Sequence, residues 1–166
     1  MTSTFTYSYT RVHTATYLTE VILGSIGDIL ADLGINAGPL QREWAIYENA
    51  IKAWIAEGSL DQVVLECHPP TGPAKPVIEF PVNYTTSGTG NAEFTASRAR
   101  LARFRAKLDR VPAGTTFKVV CTFNGPHSSQ DGWSSTTRAS TSGLQSLSFG
   151  TVGSAPHASA SLRYHH

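Results

Sequence analysis

The sequence predicts an α+β domain with three helices packed on an antiparallel sheet, and three observations predict it. Between Tyr17 and Leu33, residues Leu18, Val21, Ile22, Ile26, Ile29, Leu30 and Leu33 recur at three- and four-residue steps, which lines one face of a helix of period 3.6. Gln62–His68, Val77–Tyr84 and Thr116–Phe123 instead alternate with period two, the pattern of half-buried strands. A run of turn formers, HPPTGPAKP, joins the first two of these, so they pair most simply as an antiparallel hairpin.

In chain order, Phe5, Tyr7 and Tyr9 alternate with Thr and Ser and predict a short first strand over Phe5–Thr10. The Tyr17–Leu33 helix follows, with Thr14 or Thr16 as its N-cap. Gly24 and Gly27 are costly inside a helix, so they are expected to mark the close approach of another backbone. Gly34 to Gly38 forms a turn, and Pro39 suits the first position of a second helix over Leu40–Glu57 that stops at Gly58. Leu40, Trp44, Tyr47, Ile51, Trp54 and Ile55 share its core face.

In the hairpin, Val63, Leu65 and Cys67 face one side and Val64, Glu66 and His68 the other, so Glu66 and Glu79 read as an outward pair on a solvated face. Pro81 cannot donate to a ladder, which puts its strand at an edge or Pro81 at an unpaired position. Thr85–Asn91 is a loop, and its lone Gly-Thr-Gly makes no phosphate site. A third helix spans Ala96–Asp109. Arg100, Arg103, Lys107 and Arg110 share a face of it, either as a dock for an acidic partner or phosphate backbone or as a solvated face whose stems cover apolar surface. After Asn124 the composition turns to Ser, Thr, Gly and Ala. Even so, Leu147 and Phe149, then Ala158, Ala160, Leu162 and Tyr164, keep the period-two pattern, which predicts strands of low hydrophobicity that are cheap to detach.

With 166 residues the chain suits one domain, divided as a core over 1–123 and a C-terminal segment over 124–166. A net charge of +1 with 15% charged residues argues against a polybasic nucleic-acid binder. No stretch reads as a membrane span, and MTSTFTYSYTR lacks the basic-then-apolar pattern of a secretory leader, so a cytoplasmic protein is expected. Cys67 and Cys121 have neither metal-type spacing nor the number for a disulfide scaffold, and no histidine spacing suggests a metal or other cofactor. His127, Ser128, Ser129 and Asp131 hold the residue types of a hydrolytic triad, but members of a triad usually come from separate elements. No enzyme signature remains. His165 and His166 read as a terminal tail.

The order of elements resembles the bacterial HORMA-domain proteins, adaptors found beside cyclic-nucleotide-making enzymes in CBASS antiviral operons. The residues that carry the resemblance are Tyr7-Ser8-Tyr9-Thr10, the stretch YENAIKAWIAEGSLDQVVLECH (Tyr47–His68), and the Ser/Thr/Arg-rich end finishing in Leu162-Arg163-Tyr164. The resemblance implies a mobile C-terminal safety belt that wraps over a short peptide, the closure motif, which adds to the sheet as a strand. It also implies that the closed form activates a CD-NTase and that an AAA+ remodelling ATPase reopens it. Carried onto this chain, the belt lies within Leu144–Tyr164, with Leu147, Phe149, Leu162 and Tyr164 as anchors and Trp133 and Arg138 in the segment entering it. Val119, Cys121 and Phe123 belong to the sheet edge that meets belt or peptide. The alternative is a small nucleic-acid-binding α+β module that uses the basic 98–110 helix.

Overall fold

The computed structural model describes the backbone of residues 2–85 and 94–166, and the side chains of residues 11–85 and 94–166. The Gly-Thr-Gly loop lies outside them. Four helices, α1 (Thr2–Leu33), α2 (Gly38–Arg42), α3 (Trp44–Glu57) and α4 (Arg98–Arg105), accompany six strands: β1 (Leu60–His68), β2 (Val77–Tyr84), β3 (Thr95–Ala96), β4 (Thr116–Phe123), β5 (Ser146–Ala155) and β6 (Ala158–His165). The strands form one antiparallel sheet in the order β3-β5-β6-β2-β1-β4. The α+β class holds.

Helix α1 runs from Thr2, so the strand expected over Phe5–Thr10 is helical instead. Strand preference spans only about 1 kcal/mol, whereas extending an existing helix adds a bond per residue without a new nucleus. For the same reason Thr14 and Thr16 are not caps. The Thr14 hydroxyl donates to the Pro156 carbonyl, and that of Thr16 to Val12 one turn back. Leu18, Ile22, Leu23, Ile26, Ile29, Leu30 and Leu33 are buried, and α1 packs against α3, β5, β6 and α4. Gly24 and Gly27 have no backbone near them: a Cβ at either would meet nothing within 4 Å. They do not mark a close approach.

The expected second helix is two, broken at Glu43 (φ −108°, ψ 20°). Pro39 opens α2 as anticipated, and Gly58 closes α3 in the left-handed region that a side chain would strain (φ 77°). Helix α4 is shorter than expected, ending at Arg105: Phe104 is its only buried residue, and Leu108 and Val111 beyond it are only partly buried. Lys107 and Arg110 therefore do not share a helical face with Arg100 and Arg103.

Strand β2 is interior, between β1 and β6, and its ladder to β6 runs Ile78 to Tyr164 and Glu79 to Arg163, then resumes at Val82 with Ala160. Pro81 falls in the gap, the second of its two options. Both faces of the hairpin are covered. Val63, Leu65, Cys67, Ile78 and Phe80 face the helices, while Val64, Val77 and Val120 form a separate cluster with Ala74, against which Ala139 and Leu144 pack. The C-terminal strands join the main core through Val152, Ala160, Leu162 and Tyr164. No described helix is long and apolar enough to cross a membrane.

Candidate functional site

Strand β4 pairs with β1 on one side only, so its other side is a sheet edge. An edge strand presents unpaired N–H and C=O groups and normally needs cover. Here the cover is residues 124–145, which leave the end of β4, pass beside α3 and then cross to the sheet face opposite the helices. Along the first part Asn124 donates its backbone N–H to Ser59 O (3.0 Å) and its side-chain amide to Gly58 O (3.1 Å). The Trp54 indole donates to Ser128 O at 2.8 Å, and the Trp133 indole to Ile46 O at 3.3 Å. The Ser128 N–H and the Ser59 hydroxyl both donate to Glu57 Oε1, at 3.0 and 2.6 Å. Burial opposes ionisation of Glu57, but these bonds outweigh it and hold its carboxyl below the usual value. Gly132 adopts φ 84° and passes so close to α3 that a Cβ would sit 2.8 Å from the Ile46 side chain. Only glycine fits there.

Further along, the Lys118 ammonium donates to the Thr136 hydroxyl, and the strap turns over the edge. Arg138 pairs with Glu79, and the Ala139 N–H donates to Glu66 Oε2 at 2.6 Å. Glu66 and Glu79 are 1% and 4% exposed, which overturns the solvated-face reading. A charge is buried only with partners, and both carboxylates have them. His68 Nε2 lies 2.9 Å from Glu66 Oε1, while Arg163 Nη1 and His165 Nε2 lie 3.3 and 2.8 Å from Glu79 Oε1. His165 is thus a built-in residue of β6 and not a tail.

Burial, followed by the nearby Arg138 and Arg163 guanidiniums, holds His165 below its ordinary value of 6.5. The unfolded chain therefore binds this proton more readily, and the stabilisation is present above pH ~6.5 and lost as pH falls below it. Urea midpoints measured at pH 7.5 and 5.5 should fall further for wild type than for His165→Gln. Equal falls would contradict this.

Between strap, β4 and α3 lies an open groove of about 640 Å³. An aromatic cluster borders it. Trp54 meets Phe123 and Trp133 edge to face at centroid distances of 4.8 and 5.1 Å, Tyr47 meets Trp133 at 5.8 Å, and His127 stacks on Phe123 at 3.5 Å. Val119, Cys121 and Phe123 line the groove with Trp133, so the structure brings together four of the residues singled out in the sequence. The remaining ones lie elsewhere. Arg138 is on the far face. Phe149 and Tyr164 pack edge to face on Phe104 (5.1 and 5.2 Å), Leu162 is fully buried, and Leu147 is 38% exposed and pairs with Tyr164 across β5 and β6.

Arg100 donates to Thr151 O at 2.7 Å, the Arg110 guanidinium lies against Gly34, and Arg103 and Lys107 are exposed. Arg105, next to that set, forks onto Asp32 at 2.6 and 3.0 Å. The basic segment is thus partly spent inside the fold. Both cysteines are free, and burial, aided by Glu66, pushes the Cys67 thiol up to about 12, while burial raises Cys121 as well. Neither is a thiolate nucleophile at neutral pH. Among the described residues no group of His, Cys, Asp and Glu could hold a metal.

Sequence reasoning missed Glu66, Glu79, Ile46 and the grouping of Tyr47 and Trp54 with Trp133. The signal for the carboxylates was their company. Val64, Val77 and Val120 share their face, and three valines do not line a solvated surface.

Comparison with solved structures finds the same fold at low identity. A chain of the mitotic checkpoint complex superposes with TM-score 0.76 at 11% identity, over 92% of this chain and 98% of its own. C. elegans HTP-1 bound to the HIM-3 closure motif gives 0.70 at 13%, over 92% and 89%. A chain of the E. coli MS115-1 HORMA:CdnC:Trip13 complex gives 0.61 at 11%, over 92% and 87%. No curated protein matches the chain by sequence. The family profile described as "Bacterial HORMA domain 2" matches residues 1–166, and the chain belongs to that family.

Proposed function

We propose that the chain is a peptide-clamping signalling adaptor in which a closure-motif peptide adds as a strand to the free edge of β4, beneath the strap. The observation that carries this reading is that one edge of the sheet is both unpaired and roofed by residues 124–145, with a groove left between. Backbone groups of β4 supply the affinity. The side chains of Tyr47, Trp54, Phe123, His127 and Trp133 read whichever peptide residues point toward α3. The C-terminal hairpin lies at β2, away from this edge, so the strap is already drawn across it.

The likenesses support the wider role. HTP-1 is bound to a closure motif, and the E. coli relative forms a complex with CdnC and Trip13. By that likeness the closed form engages and activates a CD-NTase that makes a cyclic oligonucleotide second messenger in a cytoplasmic antiviral (CBASS) system, and an AAA+ ATPase reopens it. The alternative nucleic-acid module is less supported, since Arg100 and Arg105 already have partners within the chain.

Panning a displayed library of random 12-residue peptides on the purified chain, then titrating an enriched peptide by fluorescence anisotropy, tests the clamp. A Kd of about 1 µM or tighter is expected, weakened roughly 10- to 30-fold by Trp133→Ala, as for an aromatic anchor. A library without binders, or a binder indifferent to that substitution, would sink the reading.

A further inference from the structure

The two buried carboxylates divide their oxygens in the same way. At Glu66, Oε1 faces His68 of its own strand and Oε2 accepts from the Ala139 N–H of the strap. At Glu79, Oε1 faces Arg163 and His165 of β6 and Oε2 takes Arg138 of the strap. One oxygen of each is thus held by the sheet and the other by the strap. The strap partners are consecutive residues, and the carboxylates lie diagonally on adjacent strands, since Val64 pairs with Glu79 and Glu66 with Val77. A dipeptide of the strap therefore fits across a pair of acids that the sheet has already positioned.

We propose that Glu66 and Glu79 form a clasp for the strap, closed by Arg138 and the Ala139 N–H, and that this clasp sets how long the strap stays over the β4 edge. Lifting the strap strips both Oε2 atoms of their partners at once and uncovers the Val64, Val77 and Val120 cluster that Ala139 and Leu144 cover. A buried carboxylate oxygen left without a donor is costly even where its sister oxygen stays paired, so partly open states are disfavoured and the strap behaves as open or shut. Arg138 and Ala139 sit outside the groove and act on it only by positioning the strap. The extension to peptide release rests on the clamp reading above, whereas the clasp itself does not.

The test uses the full chain without peptide. Hydrogen exchange followed by mass spectrometry over residues 130–145 reads strap opening directly. Arg138→Gln is expected to speed exchange there roughly 10- to 100-fold, as loss of a charge-assisted bond should, while exchange in α1 and β1 stays unchanged. Arg138→Lys, which keeps the charge, should recover part of the protection. Glu79→Gln, an isostere that keeps the packing, should act like Arg138→Gln, and combining the two should add little. Unchanged strap exchange in Arg138→Gln, or additive effects in the double variant, overturns the clasp. With a peptide selected as above and held between two folded domains so that it cannot slide, Arg138→Gln should raise the off-rate and the on-rate by the same factor, since entry and exit then use one opening. An unchanged off-rate with faster strap exchange overturns the link to release. Absence of any peptide binder strikes the clamp reading and leaves the exchange result to judge the clasp.

Discussion

Trp54→Ala is expected to lower stability by about 3–5 kcal/mol, the usual cost of truncating a buried aromatic. Trp54 is 3% exposed and joins the helical layer to β4 and to the strap at once, through Phe123, Trp133 and the Ser128 carbonyl. Neighbours contributed by α3, β4 and the strap cannot all collapse into the space it leaves. Trp54→Phe keeps most of the packing and loses the bond to Ser128, so it should cost only about 1 kcal/mol. Urea unfolding monitored by circular dichroism separates the two. If Ala and Phe cost the same, the ring is not packed as described.

Phe104→Ala should be comparably severe, about 3–5 kcal/mol. Phe104 is the sole buried residue of α4 and meets Phe149 of β5 and Tyr164 of β6 edge to face. The rest of the helix is arginine, alanine and a half-buried Leu101, which cannot hold it to the sheet. The loss should also show locally, as faster hydrogen exchange in α4 and β5 than in β1 and β2. Uniform exchange across the chain would mean that α4 is held by other contacts, such as the Arg105–Asp32 pair.

The alternating strands and the helix of residues 17–33 were readable because burial on one face leaves a periodic record, and the stop at Gly58 because backbone geometry demands it. The first strand was misread because alternation over six residues is a small local preference, outweighed by a helix already growing beside it. Glu66 and Glu79 were misread for the opposite reason. Their burial depends on Arg138, Ala139 and His165, 59 to 86 residues away in sequence, and no local pattern encodes a partner that distant. The groove was half visible. The row Val119, Cys121 and Phe123 is periodic, but its meeting with Trp54 and Trp133 follows from where the strap turns, which Gly132 decides through a single close approach to Ile46.

The route of the strap has a topological consequence. Leaving β4 on the helical side and fastening on the far face, it makes with β4, β1 and β2 a closed ring, joined covalently at Phe123 and by noncovalent bonds from Arg138 to Glu79 and from Ala139 to Glu66. Under the clamp proposal, a peptide strand inside that ring is threaded like a cord through an eyelet. It departs by sliding out end first or by waiting for the ring to part. Lifetime is thereby uncoupled from contact energy, and a modest interface can hold for a long time. Ligands with a free end can enter by sliding, while segments flanked by folded domains must wait for an opening. For those, capture saturates at the opening rate however much ligand is supplied.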